Sequence, residues 1–204
     1  MAVLLFDVIN YCFQRGPRAV EDWLSLRRRL DHWKIAKPRH FQPYYERSPD
    51  PSDGRYFPDI WISSDCQVLA WLYYHTGTIL LKTYPPNTVA ATPENMSHVV
   101  PMLDCLESRE EVLIHASAIC GIASTNPNAQ ALIVLCHIVT ISAIFFTSES
   151  EQKETINLIR MAHTVTGHPL HDVEQKLVKS WASQGESAPM HQMDSGGQTS
   201  IVHD

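Results

Sequence analysis

Apolar residues recurring at spacings of three and four dominate this sequence. That rhythm puts them on one side of an α-helix, and a chain satisfies it by packing helix against helix. Residues 2–14 carry Leu4, Leu5, Val8, Ile9, Cys12 and Phe13, closed by Gly16-Pro17. Residues 18–36 carry Val20, Trp23, Leu24, Leu26, Leu30, Trp33 and Ile35. Glu21 and Asp22 near their start, and Arg27-Arg28-Arg29 beyond, suit the helix dipole. In residues 60–82 the set is Trp61, Val68, Leu69, Trp71, Leu72, His75, Ile79 and Leu80, with Ser64 or Asp65 as a cap. A helix over 97–124 tolerates Pro101 near its start, where the first amides have no partner. The most apolar segment predicts a helix over 129–146. Another over 149–165 turns Ile156, Ile159 and Val165 inward and ends at Gly167. Pro169 fits the first position of a last helix that buries Leu170, Val173, Leu177 and Trp181, with Val178 on the same flank. No strand run and no internal repeat is visible. The expected fold is all-α: about seven helices in antiparallel pairs.

Two stretches break the rhythm. Residues 37–59 hold Pro38, Pro43, Pro49, Pro51 and Pro58, which exclude a continuous helix or a central strand. This long connection carries Phe41, Tyr44, Tyr45, Tyr56 and Phe57, so parts of it should pack on the domain. Residues 83–95 break the chain again. Residues 183–204 are polar and aperiodic, and a disordered tail is expected there. The expected organisation is one helical domain over 1–182, made of a hairpin (1–36), the proline-rich connection (37–59) and a helical core (60–182).

At 204 residues the chain is long enough for a core, and 44% apolar with 19% charged residues is a globular balance. A formal charge of -6 gives no general attraction for nucleic acid. The five cysteines are widely spaced, without a C-x-x-C pair, and read as small buried hydrophobes in a reducing compartment. The N-terminal apolar run lacks a basic leader and is interrupted by Asp7, unlike a signal peptide. Residues 131–146 fall short of the ~20 apolar residues that span a bilayer. They read as a core helix, with membrane anchoring as a minor alternative.

HASAICGIASTNPNAQ, residues 115–130, raises the question of a reactive Cys-His pair. On a helix, residues five apart point well away from each other, so His115 and Cys120 should not meet. Val112, Leu113, Ala116, Ile119, Cys120 and Ala123 form one apolar face, and the stretch reads as scaffold. His115 is then a boundary histidine with one hydrogen bond. Gly121 costs about 1 kcal/mol against alanine in a helix, which a close contact with another backbone would offset. Asn126-Pro127-Asn128 supplies a turn, with Asn128 a cap for the next helix.

His163, His168 and His171 match no usual zinc spacing and read as surface histidines. The carboxylate clusters Glu107, Glu110, Glu111 and Glu149, Glu151, Glu154 read as solvated faces. There is no G-x-S-x-G elbow, phosphate-binding loop or dinucleotide fingerprint. No catalytic, cofactor-binding or metal-ligating residue is assigned, and no enzyme activity is expected. Arg27, Arg28, Arg29, Lys34, Lys37 and Arg39 form a solvated face able to contact acidic partners. Trp61, Trp71, Tyr73 and Tyr74 are packing residues of a core or interface.

Several longer stretches carry a family resemblance. RYFPDIWISSDCQVLAWLYYHTGTILLKTYPP, with its Phe-Pro-acidic-Ile-Trp opening at residues 57–61 and Tyr73-Tyr74-His75, resembles a segment of the regulatory domain of fungal zinc-binuclear-cluster transcription factors. HASAICGIASTNPNAQ, TVTGHPLHDVEQKLVKSW and the N-terminal LLFDVINYCF resemble further segments of that domain, in the same order. The resemblance covers about residues 3–182. His168 stands where an aromatic is more usual. It implies an all-helical regulatory and protein-interaction domain of a nuclear regulator of transcription by RNA polymerase II. The family's six-cysteine zinc segment is absent from this sequence, so the chain corresponds to the C-terminal part of such a regulator. A fragment, a truncated gene model and a naturally short product all fit. Neither zinc nor direct DNA binding is then expected, and none of the family's metal- or DNA-contacting residues has a counterpart here. Partners would be transcriptional regulators or the parent protein's own domains, with self-association left open and no membrane. The alternative is a small helical enzyme or ligand-binding domain with a pocket near His75, His115 and His137.

Overall fold

A computed structural model describes residues 1–86 and 106–186. Among them are seven α-helices: α1 (Ala2–Phe13), α2 (Val20–Ala36), α3 (Asp65–Thr83), α4 (Leu106–Thr125), α5 (Ala129–Ser142), α6 (Glu149–Thr166) and α7 (His171–Glu186). The all-α class follows directly from the helical rhythm. Pro101, Cys105 and the expected start of α4 at residue 97 lie outside the described residues. So does the expected tail from residue 187 onward, whereas residues 183–186 belong to α7.

Helix α3 is the hub. Its buried residues run from Gln67 to Thr83 and include Val68, Trp71, Leu72, Tyr74, Gly77, Ile79, Leu80 and Leu81, which occupy all sides of the helix. A helix apolar all round belongs in the interior. Helix α2 runs antiparallel to it: the Trp23 indole donates to the Leu81 carbonyl at 2.8 Å, while Trp33 stacks on Tyr74 ten residues further on. Helix α4 is also antiparallel, joined through Lys82 with Glu111 and His75 with His115. Helix α1 lies parallel to α3, with Leu5 near Gly77 and Phe13 on Tyr84. Helix α5 starts beside the first residue of α3, with Asn128 on Asp65, and also runs parallel to it. The antiparallel arrangement expected of successive helices thus holds for the α2–α3 and α3–α4 pairs.

Asn128 caps α5 as its sequence position suggested, its Oδ1 accepting from the Ala131 amide at 2.7 Å. After α5 a 3-10 turn, Ala143–Phe145, ends the expected 129–146 helix early. The Trp181 indole of α7 donates to the Ala143 carbonyl at 2.9 Å and holds that turn. Gly167 adopts φ 70°, the left-handed C-cap expected of it. Three expectations are corrected here. Pro169 is not the first residue of α7, which begins two positions later. Val165 and Val178 face solvent at half exposure, because each sits at the flank of an apolar stripe already filled by Ile159 and by Leu177. Cys66 is exposed at the start of α3, unlike the buried Cys12, Cys120 and Cys136.

The proline-rich connection contains the strands that periodicity did not reveal. β1 (Tyr45–Arg47) and β2 (Asp59–Trp61) pair antiparallel, Tyr45 opposite Trp61 and Arg47 opposite Asp59. Ile60 and Trp61 therefore belong to β2 and not to a helix. Three-residue strands are too short to show alternation. Between them Asp50 accepts from the Ser52 amide and Gly54 turns at φ 72°. Arg55 then reaches Asp50, Asp53 and Asp59.

This ribbon is fixed to the end of α4 by shape and by hydrogen bonds. A Cβ built on Gly121 would lie 2.2 Å from the Pro58 carbonyl oxygen and 2.9 Å from its Cγ. The glycine that weakens α4 therefore exists for a close backbone approach, made by the connection. Beyond it Thr125 Oγ1 and Asn126 Nδ2 donate to the Ile60 carbonyl at 2.6 and 2.7 Å. Asn126 Oδ1 accepts from the Ile62 amide at 3.1 Å. Phe57, one residue before Pro58, is buried on Phe146 at 5.5 Å between ring centres. Gly121→Ala should lower unfolding stability by about 1–3 kcal/mol, since overpacking outweighs the gain in helix propensity. Urea unfolding checks this, and a neutral or stabilising result would contradict the close approach.

Candidate functional site

The basic run of α2 becomes a site because of what lies beneath it. Arg28, Arg29 and His32 project from one side of α2, and Lys37 follows at its C-terminus. Together with Ser25 and Pro38 they border a groove of about 580 Å³ whose apolar lining is Met1, Leu4 from α1, and Trp33 and Ala36 from α2. Arg29 also pairs with Asp7 of α1 at 2.7 Å, which ties the two walls together. Arg28 Nε donates to the Leu24 carbonyl and Lys37 Nζ to the Lys34 carbonyl. The Lys37 ammonium lies 4.7 Å from the Trp71 ring centre. Partial burial, and then Lys34, hold the Lys37 pKa below its ordinary value. Crowded cations over an apolar floor are relieved by an anion.

Behind the groove stands an aromatic layer. Trp33 stacks on Tyr74 at 5.5 Å and meets Trp71 edge-on at 5.6 Å. The Trp71 indole donates to the Phe41 carbonyl at 2.6 Å, so the start of the proline-rich connection is pinned to α3. Trp71 and Tyr74 therefore pack the interior, as expected, while Trp61 remains 43% exposed on β2.

Behind the aromatic layer, His75 of α3 and His115 of α4 meet Nδ1 to Nδ1 at 2.7 Å. One ring donates its Nδ1 proton and the other accepts, so the contact holds a single proton between these atoms. His75 stacks on Trp71, and His115 meets Tyr74. Burial, then the neighbouring His115 and Lys34, push the His75 pKa well below 6.5. Burial, then Lys34 and Lys82, push His115 down to about 4. Both imidazoles are neutral near pH 7. The boundary histidine read from sequence does make its one hydrogen bond, though its partner is another histidine forty residues away, which local sequence has no means of indicating.

The three-histidine pocket is not formed. His137 lies on the exposed side of α5, in a separate depression of about 130 Å³ beside His168 and Pro169. Its helix turns it outward, since α5 buries Leu132, Leu135, Cys136 and Val139 instead. His115 and Cys120 do not pair either. Cys120 is buried, and burial drives its thiol pKa far up, followed by the charge of Glu151. His163 Nδ1 donates to the His168 carbonyl at 2.6 Å, and His171 Nε2 accepts from the Gln175 amide at 2.8 Å. Among the described residues no group of three or more His, Cys, Asp or Glu side chains is placed to hold a metal ion. No described helix is long and apolar enough to cross a membrane.

No protein-family model matches the sequence, and neither a curated protein nor a solved structure shows significant similarity to it.

The histidine pair sets a pH dependence with a definite sign. Each imidazole has a folded pKa below 6.5, so the unfolded chain takes up protons that the folded chain refuses. Stability is therefore complete above about pH 6.5 and is lost as pH falls toward about 4. For His115 alone the loss reaches on the order of 3 kcal/mol at the acid end. Urea unfolding at steps from pH 4 to 7 should show this slope, flattened in His115→Gln. Parallel curves for the parent and the variant would assign the acid sensitivity to other groups.

Proposed function

We propose that this chain is a regulatory, protein-interaction domain of the kind found in fungal zinc-binuclear-cluster transcription factors. It acts in the nucleus, and residues 1–204, with five widely spaced cysteines, neither form such a zinc cluster nor read DNA themselves. Its work is conformational and not catalytic. Its partners are transcriptional regulators or other domains of a parent protein.

The observation that carries this reading is the groove of α1 and α2. An apolar floor with Trp33 and Leu4, rimmed by Arg28, Arg29, His32 and Lys37, suits a segment that brings an apolar side chain and carboxylates together. The ordered series of family-like stretches supports the same reading. Two of them supply parts that hold the described fold: Gly121, on which Pro58 rests, and Trp181, which holds the turn after α5. The rigid layer behind Trp33 supports it further, since a groove built on a packed wall presents a fixed shape.

Tethered to a heterologous DNA-binding domain in a fungal cell, the chain should change reporter transcription severalfold, upward or downward. Arg28→Glu with Lys37→Glu should remove most of that effect at equal protein level. A tethered chain without effect would overturn the regulatory reading. Metal analysis of the purified chain alone should find no stoichiometric zinc, and one zinc or more per chain would contradict the zinc-free assignment.

A further inference from the structure

Helix α1 is apolar on two opposite sides. Leu4, Val8 and Cys12 are buried against the rest of the fold. On the other side Val3, Phe6, Ile9 and Phe13 remain 73, 62, 39 and 52% exposed. Their spacings of three, three and four place them in one stripe along a helix about 18 Å long. A helix apolar on all sides requires a partner on all sides. The two phenylalanines alone leave about 200 Å² bare, and the whole stripe about 400 Å². That is a contiguous patch of the size that marks an interaction surface.

We propose that this stripe is the interface of a homodimer, α1 packing antiparallel on α1 of a second copy about a two-fold axis near Ile9 and Asn10. The choice of a second copy rests on charge and area. Asp7 is the one charged side chain on α1, and Arg29 already balances it. A neutral stripe on a chain of formal charge -6 lets two like-charged copies meet without bringing like charges together. A charged partner gains nothing there, in contrast to the groove. In an isologous antiparallel pair, Phe6 of one copy faces Phe13 of the other, so the stripe is its own complement. The two stripes bury about 800 Å² together, and the exposed Ala2 and Asn10 beside them add to it, which is the size of a weak, transient dimer. The proposal is independent of the groove and of the regulatory reading.

Sedimentation velocity on the full chain across roughly 5 to 200 µM tests it. The apparent mass should rise toward twofold with concentration. Phe6→Glu should weaken association at least tenfold with unchanged helicity and unchanged Tm. Phe13→Glu should weaken it as much while also lowering Tm, because Phe13 packs on Tyr84 of its own chain. Phe6→Lys mixed with Phe13→Glu should restore dimer, because the antiparallel register sets the lysine against the glutamate. A monomer throughout the range would overturn the proposal, as would a dimer indifferent to both substitutions. A monomer whose Tm falls on Phe6→Glu would also overturn it, by showing that the chain's own residues cover the stripe. Failure of the mixture to re-form dimer would overturn the antiparallel register.

Discussion

The missing side chain at Gly121 is the constraint on which the arrangement of this fold depends. An ordinary side chain at this position would push the proline-rich connection away from α4. With hydrogen alone on Cα, the Pro58 carbonyl comes closer to α4 than any Cβ would allow. Residues next in line on both chains then fall into register: Thr125 and Asn126 take the Ile60 carbonyl, and Asn126 takes the Ile62 amide. These bonds satisfy backbone groups that a two-stranded ribbon would otherwise leave to solvent on its outer edge. Once β2 is fixed, the entry of the chain into α3 is fixed with it. Since α3 is buried on every side, its placement sets the positions of α1, α2, α4 and α5 around it.

The interior of the site follows from that placement. Trp71, Tyr74 and His75 are successive faces of one helix, so anchoring α3 aligns the aromatic layer and the histidine together. Trp33 closes the layer from α2, and Phe41 reaches it from the connection. The histidine pair then meets a wall of rings on one side and lysines beyond it. A charged imidazole there would lose hydration and face Lys34, so the neutral form wins and one proton suffices for the pair. Such a pair binds α3 to α4 through a directional contact at neutral pH, and protonation in acid breaks that contact. Burial keeps the bases inside neutral, and the cations around α2 reinforce it.

Much of this fold was legible in the sequence, for reasons particular residues make plain. Leu26 and Leu30, and Val112 and Ala116, sit at helical spacing and are buried, because one-sided apolar periodicity has a single physical solution. Asn128 and Gly167 act as caps because their side-chain reach and backbone freedom serve few other purposes at those positions. The strands were not legible: β1 is exposed, β2 is mixed, and three residues are too few for a period. Asn126 looked like a turn residue, yet it reads the backbone of a strand more than sixty positions away. The groove was legible only as a run of cations. Its apolar floor comes from α1, and nothing in a local window pairs Leu4 with Trp33. His75 and His115 were both conspicuous, but their meeting depends on the antiparallel register of two helices that rotate each histidine toward the other.

The surfaces left free are also a product of this geometry. A central helix buried all round has nothing to present. The α1–α2 hairpin packs through one side and leaves two faces open. Its two open faces differ in kind. The groove side joins cations to an apolar floor and favours an acidic partner. The outer side of α1 is nearly free of charge and favours a surface like itself. Arg29 and Asp7 lie between the two faces and bind the helices that form them. The same two helices therefore carry both faces, held together by that ion pair and by the Leu4 and Trp33 side chains beneath it.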